Sequence, residues 1–412
     1  MTAVSVVFLL VYLGMLLGGL PFLQLDRTGI ALLGAIALLV SGSVSTEQAL
    51  QAIHLPTLIL LFSFMVIAAQ LRLGGFYDWV TEKIARLGLS PPALLAALIA
   101  AVAALAAVFS NDVVCLAIAP LLIDLCLARR LNPVPFLLGL ACAANIGSAA
   151  TLIGNPQNML IGGRLALSFP DYLKEAAVPV LGGIVLAWLV IAGLWRGRWA
   201  AAADAPYAGG ARAEEGHRPV RHPLNPWQAA KGCAVAAALF GLFLFSPLPR
   251  EMLALGGAGL LLLSRKLHSR HMLGLVDWEV LVLFIGLFIV NQAFEQSGVP
   301  QRAVSALADL GVDLHRPALL FGATFLLSNL VSNVPAIMLL LPVASPQDGA
   351  LLALSSTLAG NLFIVGSVAN IIVVDAAARR GIRIGWKAHA VTGVPVTLLT
   401  LALAALWLLW RG

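Results

Sequence analysis

Charged side chains are scarce in this sequence. Asp, Glu, Lys and Arg make up 11% of its 412 residues, while 60% are hydrophobic. A soluble domain is roughly one-quarter charged, so composition excludes an ordinary soluble globular protein and points to a polytopic membrane protein. Cysteine is nearly as sparse. Cys115, Cys126, Cys142 and Cys233 show no CxxC spacing and lie in apolar runs, where thiols pack as small hydrophobes rather than as disulfides or metal ligands. The seven histidines all fall in expected loops or at span ends, so no transition-metal site is expected. HExxH, GxSxG and a GxxxxGK phosphate loop are all missing, which leaves a zinc protease, a serine hydrolase or an ATP-driven pump subunit without support. No cofactor is implied. Residues 1–20 lack a basic start and a small-residue cleavage pattern, and read as a first membrane span rather than a signal peptide.

Long apolar stretches are abundant. Spans are expected near 3–23, 28–44, 56–71, 176–194, 229–245, 252–263, 280–294 and 389–410. An amphipathic piece over 76–87, carrying Asp78, Glu82, Lys83 and Arg86, suits the membrane interface. Two apolar stretches break at Ser110-Asn111-Asp112 and at Ser332-Asn333-Val334, each with Pro nine residues after the Asn, at Pro120 and Pro342. A freed backbone at membrane depth is tolerated only where protein buries it or it lines a water-filled cavity. These breaks therefore read as the tips of re-entrant hairpins over 91–127 and 318–344. Two further runs are interrupted: 136–161 at Asn145-Ile146-Gly147-Ser148 and at Gly154-Asn155-Pro156-Gln157-Asn158, and 351–374 at Gly360-Asn361 and at Gly366-Ser367-Val368-Ala369-Asn370. Pro156 must break its helix, lacking an N–H donor and clashing with the preceding turn.

The breaks are related. Arg27 and Arg250, Gln70 and Gln292, Ser110 and Ser332, and Pro120 and Pro342 recur at an offset of about 222, and collinear polar matches inside apolar runs mark an internal repeat. Beyond the tips the offset shortens, attributed to a longer first-half loop around 129–135, and Gly154 and Asn158 match Gly366 and Asn370. The fold expected is an all-α polytopic membrane protein of two inverted-topology repeats, each with a re-entrant hairpin and a broken transmembrane helix. The first repeat covers 1–196, a basic linker 197–226, and the second repeat 227–412. With five crossings each, the repeats insert in opposite senses. With the N-terminus outside, nineteen of the 25 basic residues fall on one side, leaving Arg164, Lys174, Arg250, Arg302, Arg316 and Arg411 on the other. The rich side is cytoplasmic by the positive-inside rule. This places both termini outside, the linker in the cytoplasm, the first hairpin open to the cytoplasm and the second open to the outside. The same clustering accounts for the net charge of +6 without nucleic acid.

Inverted repeats with broken helices are the signature of secondary transporters. A half-helix N-terminus attracts an anion, and the carbonyls of the other half coordinate a cation. Candidate substrate-binding residues are Ser110, Asn111, Asn155, Asn158, Ser332, Asn333, Ser367 and Asn370. Candidate ion-coupling residues are Ser110, Asn111, Asp112, Gly154, Ser332, Asn333 and Gly366. The alternative for each polar residue is ordinary hydrogen bonding between helices. Asp112 has three readings: a carrier of the coupling proton, a cation ligand, or a cap for a helix starting at Val113. Asp124 reads as an interfacial pair with Arg129, and Asp375 with Arg379. Gln70, Asn291 and Gln292 are candidates for supporting hydrogen bonds. A passive channel and a membrane-embedded enzyme are the competing classes; paired hairpins disfavour the first, and the want of a catalytic partner for Asp112 the second.

The doubled Ser-Asn tips and the Gly-Asn-Pro-Gln-Asn break resemble the ion transporter superfamily of citrate transporters, divalent-anion:sodium symporters and arsenite permeases, with most likeness to uncharacterised anion permeases. The resemblance spans nearly the whole chain. It implies a homodimer in the cell inner (plasma) membrane and an elevator-type mechanism, with Na⁺ sites built from each tip and the facing break. It also implies Na⁺- or H⁺-coupled movement of a small anion or oxyanion. The dicarboxylate branch carries Ser-Asn-Thr at both tips; Asp112 and Val334 replace both threonines here. Asn-Asp at the first tip is more like the arsenite permeases, which makes proton-coupled arsenite/antimonite efflux the alternative.

Overall fold

A computed structural model describes residues 3–19, 23–200 and 223–411. Residues 201–222 lie outside the described part, and with them most of the linker expected over 197–226. The first half runs α1 (Ala3–Leu17), α2 (Arg27–Val40), α3 (Thr46–Ala52), α4 (Leu55–Leu73) and α5 (Phe76–Arg86). It continues with α6 (Pro91–Phe109), α7 (Asn111–Ala128), α8 (Pro133–Ser148), α9 (Pro156–Arg164) and α10 (Phe169–Leu194). The second half repeats the order with α11 (Pro226–Phe245), α12 (Arg250–Leu262), α13 (Ser269–Leu273), α14 (Trp278–Gln296) and α15 (Val299–Asp309). It closes with α16 (Pro317–Val331), α17 (Asn333–Leu340), α18 (Gly349–Ala359), α19 (Val368–Ala378) and α20 (Trp386–Arg411). Apart from one isolated bridge, Leu131 with Ala200, the described residues hold no β-structure. The protein is an all-α membrane protein.

Local chemistry sets these boundaries. Eight of the α-helices begin with Pro in their first two positions, where the missing N–H is no loss and φ is already helical. The amphipathic helices α5 and α15 each follow a left-handed glycine, Gly75 (φ 72) and Gly298 (φ 70), which turns the chain along a new direction at no steric cost. The span pattern does not reveal α15, because Gln301, Arg302 and Asp309 interrupt its apolar run. Among the described residues, seven helices are long and apolar enough to cross a membrane. Only 28% of the residues in the apolar window of α10 are fully buried by protein.

Two groups of helices result. In one, α2 packs on α14 and α12 on α4, with α1 and α11 beside them, so each half's second helix packs on the other half's fourth. Small residues allow this: a Cβ on Gly286 would lie 2.8 Å from the Ala31 backbone. The second group gathers the hairpins and breaks, with α6 on α8, α7 on α19, α16 on α18 and α10 on α20. Here Gly147 lies so close to Ala103 that a Cβ would come within 2.4 Å of its backbone.

The two hairpins differ. The return arm α7 runs 18 residues straight through Pro120, whereas α17 is eight residues long and passes into a 3₁₀ turn, Leu341–Val343, at Pro342. The offset therefore shortens within the return arm itself, not only in the loop around 129–135. Asp124 is also corrected. It pairs across the repeats with Arg380, at 2.8 and 3.5 Å, while Arg129 donates to the Leu87 and Leu89 carbonyls. Asp375 does meet Arg379, at 2.8 Å.

Candidate functional site

The tips share an unusual backbone. Ser110 sits at φ 67, ψ 135 and Ser332 at φ 78, ψ 159. Non-glycine residues rarely occupy this region, at a cost of about 1–3 kcal/mol each, and such strain persists where the surroundings over-determine it. Both serines occupy equivalent places, each ending an inbound arm and starting a return arm.

The helix breaks interlock through a reciprocal set of hydrogen bonds. Asn145, near the end of α8, donates to Asn361 Oδ1 at 2.9 Å and Asn370 Oδ1 at 3.2 Å, and accepts from Ser367 Oγ at 2.9 Å. Its counterpart 212 residues on is Thr357, in α18. The Thr357 hydroxyl donates to Asn158 Oδ1 at 3.3 Å and accepts from Asn155 Nδ2 at 3.2 Å and Gln157 Nε2 at 3.3 Å. Each half thus ties down the other half's break. The match extends further. Asn158 Nδ2 donates to the Ser148 and Thr151 carbonyls, and Asn370 Nδ2 to those of Gly360 and Phe363, again at an offset of 212. Such fully buried amides must be paired, since each orphan costs roughly 1–3 kcal/mol.

The first tip is anchored to this network. Asn111 N–H donates to Gly154 O at 3.2 Å, and Asn111 Nδ2 to Asn145 Oδ1 at 3.0 Å. Gly154 is there because its backbone crosses Ser148 closely; a Cβ would sit 2.2 Å from the Ser148 carbonyl oxygen. Gly366, by contrast, has 3.2 Å to Gly360 O.

A cavity of about 90 Å³ lies where the tips meet, lined by Asn111, Asp112, Gln157, Ser332, Asn333 and Ser367, with Pro156, Val334, Pro335 and Val368 beside them. Met15, Arg27, Val280, Leu283 and Phe284 close it from α1, α2 and α14. Four helices begin at its wall: α7, α9, α17 and α19. Among these, only α9 has a side-chain cap, Asn155 accepting from Asn158 N–H. Three acceptor oxygens there are buried without a partner among the described residues: Asn111 Oδ1, Asn333 Oδ1 and Asp112 Oδ1.

Of the residues singled out in the sequence, Asn111, Asp112, Ser332, Asn333 and Ser367 line the cavity. Asn155, Asn158 and Asn370 stand behind it with their amides engaged, and Gly154 and Gly366 let the backbone close on itself. Asp112 is no cap, because α7 starts at Asn111 with Ser110 before it and no side-chain cap bond. Gln70 bonds Gln228, and Asn291 accepts from Tyr12, both away from the cavity. Asn145 and Thr357 are absent from the sequence-based set. Their signal is a polar residue inside an apolar run at the offset already set by Gly154 and Gly366.

The sequence profile of the CitMHS citrate transporter family matches residues 8–350. The chain belongs to the citrate transporter family. This family member is similar to a 46 kDa membrane protein of Mycobacterium leprae, at 28% identity over 94% of both chains. It is 28% identical to the silicon efflux transporter LSI3 of Oryza sativa, over 93% of this chain and 92% of that one. It is 30% identical to the inner membrane protein YbiR of Escherichia coli, over 82% and 83%. Among solved structures, the YdaH transporter of Alcanivorax borkumensis, described as having an unusual topology, aligns with a TM-score of 0.57. That alignment covers 99% of this chain and 97% of YdaH at 15% identity, a likeness of fold. The chain is a multi-pass membrane transporter of this family.

Proposed function

We propose that this transporter is a secondary active one. It holds a small oxyanion in the tip cavity together with Na⁺ or H⁺ and carries both by an elevator-type movement. The observation that carries this reading is the convergence of four helix N-termini on one cavity at the meeting point of two hairpins. Each helix N-terminus carries about half a positive charge, which suits an anion. The unpartnered oxygens of Asn111, Asn333 and Asp112 suit a cation beside it, since a buried acceptor without a donor is stabilised by one. The cavity is small, at about 90 Å³, which suits a compact inorganic oxyanion.

The division into two helix groups supports the elevator: the hairpins and breaks form the carrier, and α1, α2, α4, α11, α12 and α14 the frame. The halves are inverted repeats, because a re-entrant hairpin leaves each half an odd number of crossings. The positive-inside charge split supports an inner-membrane location with both termini outside, and the family resemblance supports a homodimer. A proteoliposome test is direct: solute uptake or efflux should depend on a Na⁺ or H⁺ gradient and vanish in the Asn111→Ala, Asn333→Ala double variant. Gradient-independent flux that survives this change would overturn the reading.

A second reading is proton-coupled efflux of arsenite or antimonite. Asp112 favours it, being a carboxyl group in the cavity wall that neither caps a helix nor forms an ion pair among the described residues. A relative named for silicon efflux agrees with a small inorganic solute. Under this reading Asp112→Asn abolishes the pH dependence of flux, and an unchanged pH profile rules it out.

A further inference from the structure

We propose that Arg27 is the residue that holds the negative charge of the solute in the tip cavity. This rests on the tip cavity being the transport site. Arg27 opens α2, and its repeat counterpart Arg250 opens α12. Arg250 is committed to holding the fold. Its Nη2 donates to the Gly162 and Leu167 carbonyls at 3.2 and 2.9 Å, closing the end of α9. Arg27 has none of these bonds. Among the described residues its guanidinium makes no hydrogen bond and no ion pair, although it is half-buried and lines the cavity with Asn111, Asp112, Ser332 and Asn333. Its neighbour Asp26 is engaged elsewhere, accepting from Gly29 N–H at 2.8 Å.

A half-buried guanidinium with five donors and no protein acceptor has those donors available to water or to the oxygens of a ligand. The planar fork matches two oxygens of an oxyanion and gives geometry as well as charge. Arg27 is the one cationic side chain in the cavity wall, and Asp112 the one anionic side chain, among the described residues. The two set a charge rule. With Asp112 ionised, the wall is neutral and an entering monoanion leaves it at minus one. With Asp112 protonated or facing Na⁺, the same anion restores neutrality. Anion and cation therefore enter together. A neutral solute gains nothing from Arg27, so this residue sets the preference for anions. Because α2 belongs to the frame and the tips to the carrier, the contact holds in this conformation and breaks as the carrier moves.

The test uses the full-length protein in lipid nanodiscs with Na⁺ present, reading thermal stabilisation by inorganic phosphate, sulfate and citrate, with arsenite as a probe that is neutral at pH 7. At least one anion is expected to stabilise the unaltered protein. Arg27→Gln should raise the concentration needed roughly tenfold or more, the size of one charge-assisted pair, and leave any arsenite response unchanged. Arg250→Gln should leave the anion response unchanged. Should Arg27→Gln fail to fold, Arg27→Lys takes its place; it keeps the charge, loses the fork, and should weaken the response about threefold or more. An unaltered protein that responds to none of the anions overturns the proposal, as does an equal response in the Arg27 variant. If Asn333→Ala loses the response while the Arg27 variant keeps it, the cavity stands and Arg27 alone is excluded. If Asn333→Ala also keeps it, the site itself is misplaced.

Discussion

Gly154→Ala should damage the site far more than Gly366→Ala, although the two glycines stand at matching places in the two halves of the sequence. A methyl on Gly154 would begin 2.2 Å from Ser148 O and 2.7 Å from Ser148 Cα, and ordinary contact starts at 3.4 Å. Two backbone segments must therefore part by more than 1 Å, and no flexible side chain is available to yield. Overpacking of this kind costs about 1–3 kcal/mol. The movement also carries Gly154 O away from Asn111 N–H, 3.2 Å away, which loses about 1 kcal/mol more. The total, about 2–4 kcal/mol, corresponds to a roughly thirty- to several-hundred-fold loss of cation affinity if it falls on the bound state. At Gly366 the nearest atoms are 3.2 and 3.3 Å away, one of them a side-chain oxygen of Asn329, so under about 1 kcal/mol is expected. The melting temperatures and solute flux of the two purified variants, read side by side, give the difference. Equal tolerance of the two methyl groups would refute the packing argument and the role of Gly154 in fixing the first tip.

Asn145→Ala removes the partner of Asn111, Asn361, Ser367 and Asn370 at once, leaving several buried polar groups unpaired; it should cost about 3 kcal/mol or more and abolish transport, checked by melting temperature and flux. Arg380→Ala should destabilise by about 2 kcal/mol, between the values for surface and buried pairs, because the Arg380 and Asp124 side chains are 13% and 23% exposed. A double-mutant cycle with Asp124→Ala should return most of that as coupling between α7 and the turn after α19. His54, just before α4, is held down to about 4 by burial and by nearby Arg164. Its unfolded value is near 6.5, so it is neutral when folded at neutral pH and draws stability away as pH falls from about 6.5 towards 4. His54→Gln should therefore lessen acid destabilisation in melting curves across that window, while the pH profile of transport stays unchanged.

Much of this architecture is legible in the sequence because a membrane leaves few options. An apolar run must be a helix, and a Ser-Asn pair or an Asn-Pro step inside it must be a break that protein encloses. The tips, both breaks and the offset of the second copy follow from that constraint. What escapes is what depends on which helices meet. Asp124 has Arg129 five residues away, yet the fold brings α19 alongside α7 and Arg380 takes the pair. Asn158 and Asn370 look like ligands in the sequence, but the chain wraps back so that their amides reach carbonyls seven and ten residues upstream. Arg27 reads as one more positive-side residue until α2 is seen against the tips. The length of the return arm is hidden too, because Pro is tolerated within α7 at Pro120 and ends α17 at Pro342.

The central claim is that two hairpin tips and two helix breaks make one cation-coupled site. The most direct measurement is the transient current of the purified protein in proteoliposomes, after a Na⁺ jump at fixed pH and then a pH jump at fixed Na⁺. Arsenite, sulfate, phosphate, citrate and succinate are supplied in turn, and the Asn111→Ala, Asn333→Ala double variant is run in parallel. Solute movement driven by one of the jumps, seen as a current where the cycle carries net charge and as flux where it does not, and lost in the double variant, is the expected result. Solute movement that neither jump alters, and that the double variant leaves intact, would contradict it.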